Sequence, residues 1–237
     1  MPTPDKAFIL AAGMGTRLRP HTDTMPKPMV PVAGRPIIDY TLDKLAAIGV
    51  QEAVVNLHYL PHVLKNHLSG RTSPKITLSE EEILLNTGGG VKKCLNFFEN
   101  APFYMINGDA LWENGPKDAL LSLSEAFDAR TSDLILLLQP VERMALTHGV
   151  GDYDVIGKDA VRNRKKQGRF MFTGIRIVHP RLFAYPQTTP EIFSFLALMD
   201  EAEKRGRLSY IIHEGDWHHI STPDDLAAVD RVFRSRA

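Results

Sequence analysis

Charge bias, cysteine pairs and long apolar runs are all missing from this sequence. Lysine and arginine number 28, as do aspartate and glutamate, so the overall charge indicates neither nucleic acid nor an anionic membrane as a partner. Cys94 is the single cysteine, which excludes an internal disulfide and fits a reducing compartment. No apolar run approaches membrane-spanning length, and the first residues lack the pattern of a secretory signal. We therefore expect a cytoplasmic protein that binds neither nucleic acid nor membrane.

Two familiar phosphate-binding motifs are also absent. The dinucleotide fingerprint requires a third glycine where this chain has Leu18, and a Walker A loop requires Gly-Lys-Ser/Thr. The sequence instead contains an apolar run, residues 7–12, followed directly by Gly13 and Gly15. A glycine loop at the carboxyl end of a strand is where open α/β sheets bind ligands, and it brings backbone N–H groups close to an anion. Three cations follow in the same stretch: Arg17, Arg19 and Lys27. Together these features predict a site for a nucleoside polyphosphate.

Apolar periodicity along the chain predicts strands and helices in alternation. This alternation favours one α/β domain over residues 1–237, with a Rossmann-like, mixed but mainly parallel sheet and helices on both of its faces. The predicted strands cover residues 7–12, 52–57, 75–78, 103–109, 133–139, 170–178 and 208–213. The predicted helices cover residues 36–48, 61–68, 91–98, 116–127 and 191–204, and a last helix begins near residue 222. The basic residues 162–169 are typical of a solvated hairpin tip.

The glycine loop and its surroundings resemble the signature of the sugar-1-phosphate nucleotidyltransferase family. That signature reads Leu-Ala-Ala-Gly-x-Gly-Thr-Arg-(apolar)-x-Pro, followed by Pro-Lys-Pro-(apolar)-x-Pro-(apolar)-x-Gly-x-Pro. The matching residues are Leu10, Ala11, Ala12, Gly13, Gly15, Thr16, Arg17, Leu18, Pro20, Pro26, Lys27, Pro28, Met29, Pro31, Val32, Gly34 and Pro36. The resemblance implies the fold of nucleotide-diphospho-sugar transferases. It also implies a reaction between a nucleoside triphosphate and a sugar 1-phosphate that releases pyrophosphate.

The resemblance further implies which residues act on the nucleotide. Arg17, Lys27 and Asp109 are the expected catalytic residues. Arg17 would bind the departing phosphates, Lys27 the α-phosphate, and Asp109 a Mg²⁺ ion, with Mn²⁺ as an alternative. A second glycine segment, residues 81–89, corresponds to the family's Glu-x-x-x-Leu-x-Thr-Gly-Gly, which lies against the base. The expected nucleotide-binding residues are Leu10, Ala11, Ala12, Gly13, Gly15, Thr16, Arg17, Lys27, Glu81 and Gly88, the last through its backbone.

The second half of the chain is expected to bind the sugar phosphate. We divide the domain into a nucleotide-binding half, about residues 1–110, and a sugar-phosphate-binding half, about residues 111–237. The expected sugar-phosphate residues are Asn107, Gly149, Gly151, Asp152, Thr173 and Gly174. An isolated glycine within a strand, as at Gly174, marks a bulge or a close ligand approach. No hexapeptide repeat follows the last predicted helix, so a C-terminal β-helix is not expected.

The substrate expectation rests on one short run. Residues 148–153 read His-Gly-x-Gly-Asp-(aromatic), and the Glu-Lys-Pro tripeptide of many hexose-specific relatives is missing. In both respects the chain resembles the short branch of the family that uridylylates N-acetylmuramic acid 1-phosphate during cell-wall sugar recycling. Guanosine with mannose 1-phosphate, or a nucleotide with glucose 1-phosphate, is the alternative. The oligomeric state is left open.

One position departs from the family pattern. The family's second metal carboxylate lies in Trp-x-Asp-x-Gly-Thr, whereas this chain has His219 in place of the aspartate and Ser221 in place of the glycine. An imidazole is a poor Mg²⁺ ligand. Three interpretations follow: Asp109 anchors the metal alone, with His219 in a minor role; three histidines, His213, His218 and His219, form a transition-metal site; or the protein binds nucleotide sugars without catalysis.

Overall fold

The computed structural model describes residues 3–147, 149–185 and 190–236 of the chain. Its strands are β1 (Lys6–Leu10), β2 (Pro31–Val32), β3 (Arg35–Pro36), β4 (Glu52–Leu57), β5 (Lys75–Glu80), β6 (Phe103–Asn107), β7 (Leu111–Glu113), β8 (Leu134–Pro140), β9 (Tyr153–Ile156), β10 (Asp159–Arg162), β11 (Phe170–Val178), β12 (Leu208–Ile212) and β13 (Asp216–His218). Its α-helices are α1 (Ile37–Ala47), α2 (Pro61–Leu68), α3 (Asn86–Lys93), α4 (Ala119–Ala126), α5 (Leu196–Lys204) and α6 (Pro223–Arg236). Short 3₁₀ segments include Thr16–Leu18, Lys27–Met29 and Leu95–Phe98.

A nine-stranded mixed sheet organises the described residues. Its main path runs β10-β9-β11-β6-β1-β4-β5, and β8 pairs with both β11 and β12. Strands β6, β1, β4 and β5 are parallel to one another, whereas β11 is antiparallel to β6 and to β8. Because parallel strands end at the same edge of a sheet, the segments after β1, β4 and β6 lie together. The predicted fold class is confirmed.

Helices cover both faces of this sheet. On one face α1, α2 and α4 contribute Leu42, Leu64 and Leu120 to a large buried cluster. On the other face α3 and α5 contribute Val91 and Leu198 to a second one. Both sets of side chains recur at helical spacing, which is why the sequence predicts these segments well. A third, smaller cluster packs α6 beneath the segment that follows the glycine loop.

Two predicted helices begin elsewhere in the structure. The helix predicted at residues 91–98 begins at Asn86, and residues 95–98 form a 3₁₀ turn instead. The helix predicted from residue 191 begins at Leu196, because Phe193 pairs with the start of α3. The Phe193 N–H donates to the Leu85 carbonyl (3.3 Å), and the Phe193 carbonyl accepts from Gly88 N (2.8 Å). Long-range pairing thus overrides the local periodicity.

The basic stretch 162–169 is not a hairpin tip. It connects β10 to β11, but β9 lies between these two strands in the sheet. Tyr153 of β9 is the residue paired with Phe170 of β11. The prediction was wrong because neighbouring strands in sequence are not always neighbours in a sheet.

Candidate active site

The glycine loop follows β1 and forms one wall of a cavity. Gly13 is exposed, and a Cβ built on it meets no atom within 4 Å. Gly15 has φ +60°, and a Cβ there would lie 3.0 Å from both Lys27 Cβ and Thr22 Cγ2. Thr22 also donates its hydroxyl to the Gly15 carbonyl (2.9 Å). Gly15 is therefore required by its left-handed backbone and by the close approach of Lys27.

Lys27 and Asp109 form an ion pair at the edge of the sheet. They are 82 residues apart in sequence, and Lys27 Nζ contacts Asp109 Oδ2. Their side chains are 14% and 31% exposed, so both remain accessible from the cavity. The Gly108 N–H donates to the Leu10 carbonyl (2.8 Å), which fixes the end of β6 against β1. The topology thus joins the two motifs that the sequence keeps apart.

The cavity between these elements has a volume of about 440 Å³. Most of the predicted nucleotide and catalytic residues line it, together with side chains that sequence reasoning did not select. The predicted residues among them are Leu10, Ala11, Ala12, Gly13, Gly15, Thr16, Arg17, Lys27, Asn107 and Asp109. The additional lining residues are Pro28, Asn56, Leu84, Asn86, Thr87 and Ser221. Among the described residues, the glycine loop, Lys27 and Asp109 therefore share one concave surface.

Glu81 does not line that cavity but forms hydrogen bonds to residues that lie in it or next to it. This carboxylate is 5% exposed, and it accepts hydrogen bonds from Asn56 Nδ2 (2.7 Å) and Leu85 N (2.9 Å). Asn56 in turn accepts a hydrogen bond from Ala11 N (2.7 Å). The chain of bonds ties the glycine loop to the segment before α3. Sequence reasoning missed Asn56, although a polar residue within the apolar strand β4 is a usable signal.

Gly88 likewise lies beside the cavity lining rather than in it. The amides of Gly88 and Gly89 donate to the Phe193 carbonyl at 2.8 and 3.2 Å. A Cβ on Gly88 would lie 2.4 Å from the Phe193 ring, and one on Gly90 would lie 2.5 Å from Glu81 Oε1. The three glycines therefore permit close packing inside α3. The contact of Gly88 with a base stays a prediction, and its N–H is already bonded within the protein.

Asn107 lies between the glycine-loop cavity and a second cavity, and it packs against Gly174, which lines neither of them. Gly174 has φ +81°, and a Cβ there would lie 2.6 Å from Asn107 Nδ2, so Asn107 packs against bare backbone. The register of β11 against β8 shifts between Phe172 and Arg176, which confirms the bulge predicted from Gly174. Asn107 and Thr87 line both cavities. Thr173 is buried and donates its hydroxyl to the Leu137 carbonyl (2.8 Å), away from either cavity lining.

The second cavity has a volume of about 240 Å³ and contains one more predicted residue, Asp152. The Asp152 carboxylate contacts Lys166 Nζ and accepts a hydrogen bond from Phe172 N (3.2 Å). Gly149 and Gly151 do not line it. A Cβ on Gly149 would lie 2.4 Å from Met144 Sδ, and one on Gly151 would lie 1.6 Å from the Gly168 carbonyl oxygen. These two glycines are required by packing, and His148 of the same sequence run lies outside the described residues.

His219 lies near the ion pair. Burial lowers the pKa of its imidazole, and the charges of Lys27 and Arg17 lower that pKa further, while Asp109 opposes them. His213 and His218 face elsewhere: His213 Nε2 lies 3.1 Å from the Glu113 carbonyl, and His218 Nε2 lies 3.1 Å from Glu113 Oε1. Within the described ranges no group of three or more histidine, cysteine or acidic residues could ligate a metal together. The three-histidine site is therefore not formed.

The fold and this cavity define an α/β protein with a glycine loop at the carboxyl edge of its sheet, which is where open α/β sheets bind ligands. The chain belongs to the nucleotidyl transferase family, whose model matches residues 6–230. It is 34% identical over 238 residues to N-acetylmuramate alpha-1-phosphate uridylyltransferase from Caulobacter vibrioides, and this match covers 97% of each chain. The predicted family and enzyme class, a sugar-1-phosphate nucleotidyltransferase, are confirmed.

Two further similarities are broader. Mannose-1-phosphate guanyltransferase from Eremothecium gossypii is 27% identical, and the match covers 94% of this chain and 63% of that protein. The solved structure of UDP-glucose pyrophosphorylase complexed with UDP-glucose has a TM-score of 0.80 at 18% identity, over 99% of this chain and 100% of that one. This last likeness supports the fold alone. In the described residues no helix is long and apolar enough to cross a membrane.

Proposed function

We propose that this protein joins N-acetylmuramic acid 1-phosphate and UTP to give UDP-N-acetylmuramic acid and pyrophosphate. The observation that carries the proposal is the Lys27–Asp109 pair on the wall of the glycine-loop cavity. The substrates are those for which the Caulobacter relative is named, and that relative matches along nearly its whole length. A cytoplasmic location and a place in cell-wall sugar recycling belong to the same proposal.

The chemistry is an in-line displacement at the α-phosphorus. A phosphate oxygen of the sugar 1-phosphate forms the new P–O bond, and the bond to pyrophosphate breaks. Such a reaction depends on orientation and on neutralising the charge that develops, so cations matter more than a general base. Arg17, exposed on the cavity wall, binds the departing phosphates, and Lys27 binds the α-phosphate oxygens. The glycine-loop amides orient the triphosphate.

Asp109 is the residue that would hold a divalent cation. One cavity-facing carboxylate together with phosphate oxygens is the donor set that Mg²⁺ favours, and Mn²⁺ accepts the same oxygens. When bound, the ion would neutralise charge on the phosphates. His219, with its lowered pKa, is a neutral neighbour rather than a replacement carboxylate. The proposed mechanism therefore uses Arg17, Lys27 and Asp109, without a second acidic ligand.

Mannose 1-phosphate with GTP is the second candidate, because a guanyltransferase for that sugar is also a relative. Pyrophosphate release separates the candidates when UTP, GTP, CTP, ATP and dTTP are crossed with the 1-phosphates of N-acetylmuramic acid, mannose and glucose. Each pair is assayed in Mg²⁺ and in Mn²⁺. Release with UTP and N-acetylmuramic acid 1-phosphate is the expected result, and release only with another pair would replace these substrates. No release from protein whose Tm rises with nucleotide would indicate a non-catalytic binder.

A further inference from the structure

Arg176 is a buried arginine at the second cavity. It lies on β11, is 3% exposed and lines this cavity beside Phe172 and Phe195. Its guanidinium carbon lies 5.0 Å from the Phe172 ring centre and 4.9 Å from that of Phe195. No described residue forms an ion pair with it, and its Nε has no hydrogen-bond partner among them. A buried cation without an acidic partner is costly, and this makes the position informative.

The other charged residues of the cavity are already paired. Arg162 bonds to Asp200 at 2.7 and 3.0 Å, and Lys166 contacts Asp152. The lining therefore carries three cations and one carboxylate. Of the three cations, Arg176 is the one without an acidic partner among the described residues. The Tyr153 hydroxyl is also buried there without a hydrogen-bond partner in the described ranges. The cavity thus carries a guanidinium for which the described residues supply no acidic partner.

The position of this cavity identifies which ligand could reach it. Asn107 and Thr87 line both cavities, so the two are neighbours across one shared wall. Asn107 is the last residue of β6, the strand that leads to Asp109, and Gly174 lets it pack closely. A substituent on the sugar of a nucleotide sugar could extend past Asn107 towards Arg176. The phosphates of the nucleotide sugar would lie beside Lys27, in the glycine-loop cavity.

We propose that Arg176 is a specificity residue that binds a carboxylate carried by the sugar substrate. This inference rests on the proposed function, since N-acetylmuramic acid differs from N-acetylglucosamine by a lactyl ether with a carboxylate. An arginine binds a carboxylate through two parallel hydrogen bonds. A neutral sugar leaves Arg176 unpaired, which penalises its binding. The alternative is that Arg176 serves packing alone, through its two aromatic neighbours.

The test compares two sugar 1-phosphates in four proteins. Kinetics with UTP and either N-acetylmuramic acid 1-phosphate or N-acetylglucosamine 1-phosphate are measured for wild type, Arg176→Met, Arg176→Lys and Arg164→Met. Arg164 is a matched control because it lies nearby, is exposed and does not line the cavity. For Arg176→Met we expect kcat/KM for the carboxylate sugar to fall about 100-fold, as when one partner of a buried charge pair is removed. We expect little change with the neutral sugar, partial retention in Arg176→Lys, and no change in Arg164→Met.

Binding provides a readout that does not depend on turnover. Titration calorimetry compares UDP-N-acetylmuramic acid with UDP-N-acetylglucosamine for wild type and Arg176→Met. Preference for the carboxylate ligand in wild type, lost in the variant, supports the inference even if no pyrophosphate is released and the proposed function fails. Equal loss for both ligands would overturn the inference in favour of a packing role. Equal affinities of the wild type for both would overturn it as well.

Discussion

Replacing Arg176 by methionine should stabilise the ligand-free protein. Methionine keeps much of the apolar stem of arginine and removes its charge. Burial lowers the pKa of the Arg176 guanidinium from its usual value to about 9. A base whose pKa is lowered by folding is destabilised in its charged form, so the native protein carries this cost at neutral pH. The variant removes the cost.

The magnitude follows from that pKa and from the ring contacts. One pKa unit corresponds to about 1.36 kcal/mol, so the fall of this pKa from its usual value to about 9 costs about 5 kcal/mol. Each of the Phe172 and Phe195 rings offsets about 1 to 2 kcal/mol through the cation–π interaction. A net gain of about 1 to 3 kcal/mol remains for Arg176→Met. At this chain length each kcal/mol raises Tm by about 2 to 4 °C.

Urea denaturation at pH 7.5 measures this difference, with Arg162→Met as the comparison. That second variant should lose stability, because it leaves the partly buried Asp200 without its closest partner. Between about pH 9 and 12.5 the unfolded wild type binds a proton that the folded state lacks, so wild-type stability rises with pH there. The advantage of Arg176→Met should therefore shrink above about pH 9. A variant less stable than wild type at pH 7.5 would refute the reasoning and show that the guanidinium is well compensated.

Three further perturbations test the active site and its support. Lys27→Met should lower kcat by about 10² to 10³-fold, as for loss of one charge-stabilising donor, while nucleotide affinity changes less. Equal losses of kcat in steady-state assays and of affinity in binding assays would contradict the role of Lys27 at the α-phosphate. Gly15→Ala should lower the free energy of unfolding by about 1 to 2 kcal/mol in urea denaturation, since the φ of Gly15 is +60°. Gly13→Ala should be nearly neutral, because a Cβ there meets no atom within 4 Å. Equal effects of the two variants would rule out backbone strain at Gly15. Burial lowers the pKa of His213, so the unfolded state gains a proton before the folded state does, and stability should fall as pH drops below about 6.5. In stability measurements from pH 7 to 5, His213→Gln should show a shallower fall than wild type. An unchanged slope would count against this role of His213.

The parts of the site that sequence reasoning could predict are those that depend on local backbone. Gly13 and Gly15 interrupt an apolar strand, and Asp109 follows another one, so their placement at one sheet edge needs only the rule for parallel strands. The same rule brings Lys27 to Asp109 once β1 and β6 are neighbours. The structure places these residues around one cavity, as expected.

The remaining features depend on long-range packing. Gly88, Gly89 and Gly90 precede the helix predicted at residues 91–98, yet they lie inside α3. A Cβ on them would clash with the Phe193 ring, the Glu191 carbonyl and the Glu81 carboxylate, respectively. Sequence reasoning also passed over Arg176, because an arginine in a strand is normally read as solvent-facing. In the structure it lies between β6 and β8 in the sheet and is covered by the Phe172 and Phe195 rings. The spacing of apolar residues along the sequence does not reveal this packing around Arg176.

The pairing of Lys27 with Asp109 has a consequence for the order and coupling of ligand binding. The carboxylate does not repel an incoming triphosphate, because the lysine cancels its charge. A phosphate oxygen that draws Lys27 away leaves Asp109 without its counterion and more attractive to a cation. By thermodynamic linkage a cation at Asp109 must then strengthen nucleotide binding by the same factor. This ion pair would thus couple the binding of the nucleotide to the binding of the cation.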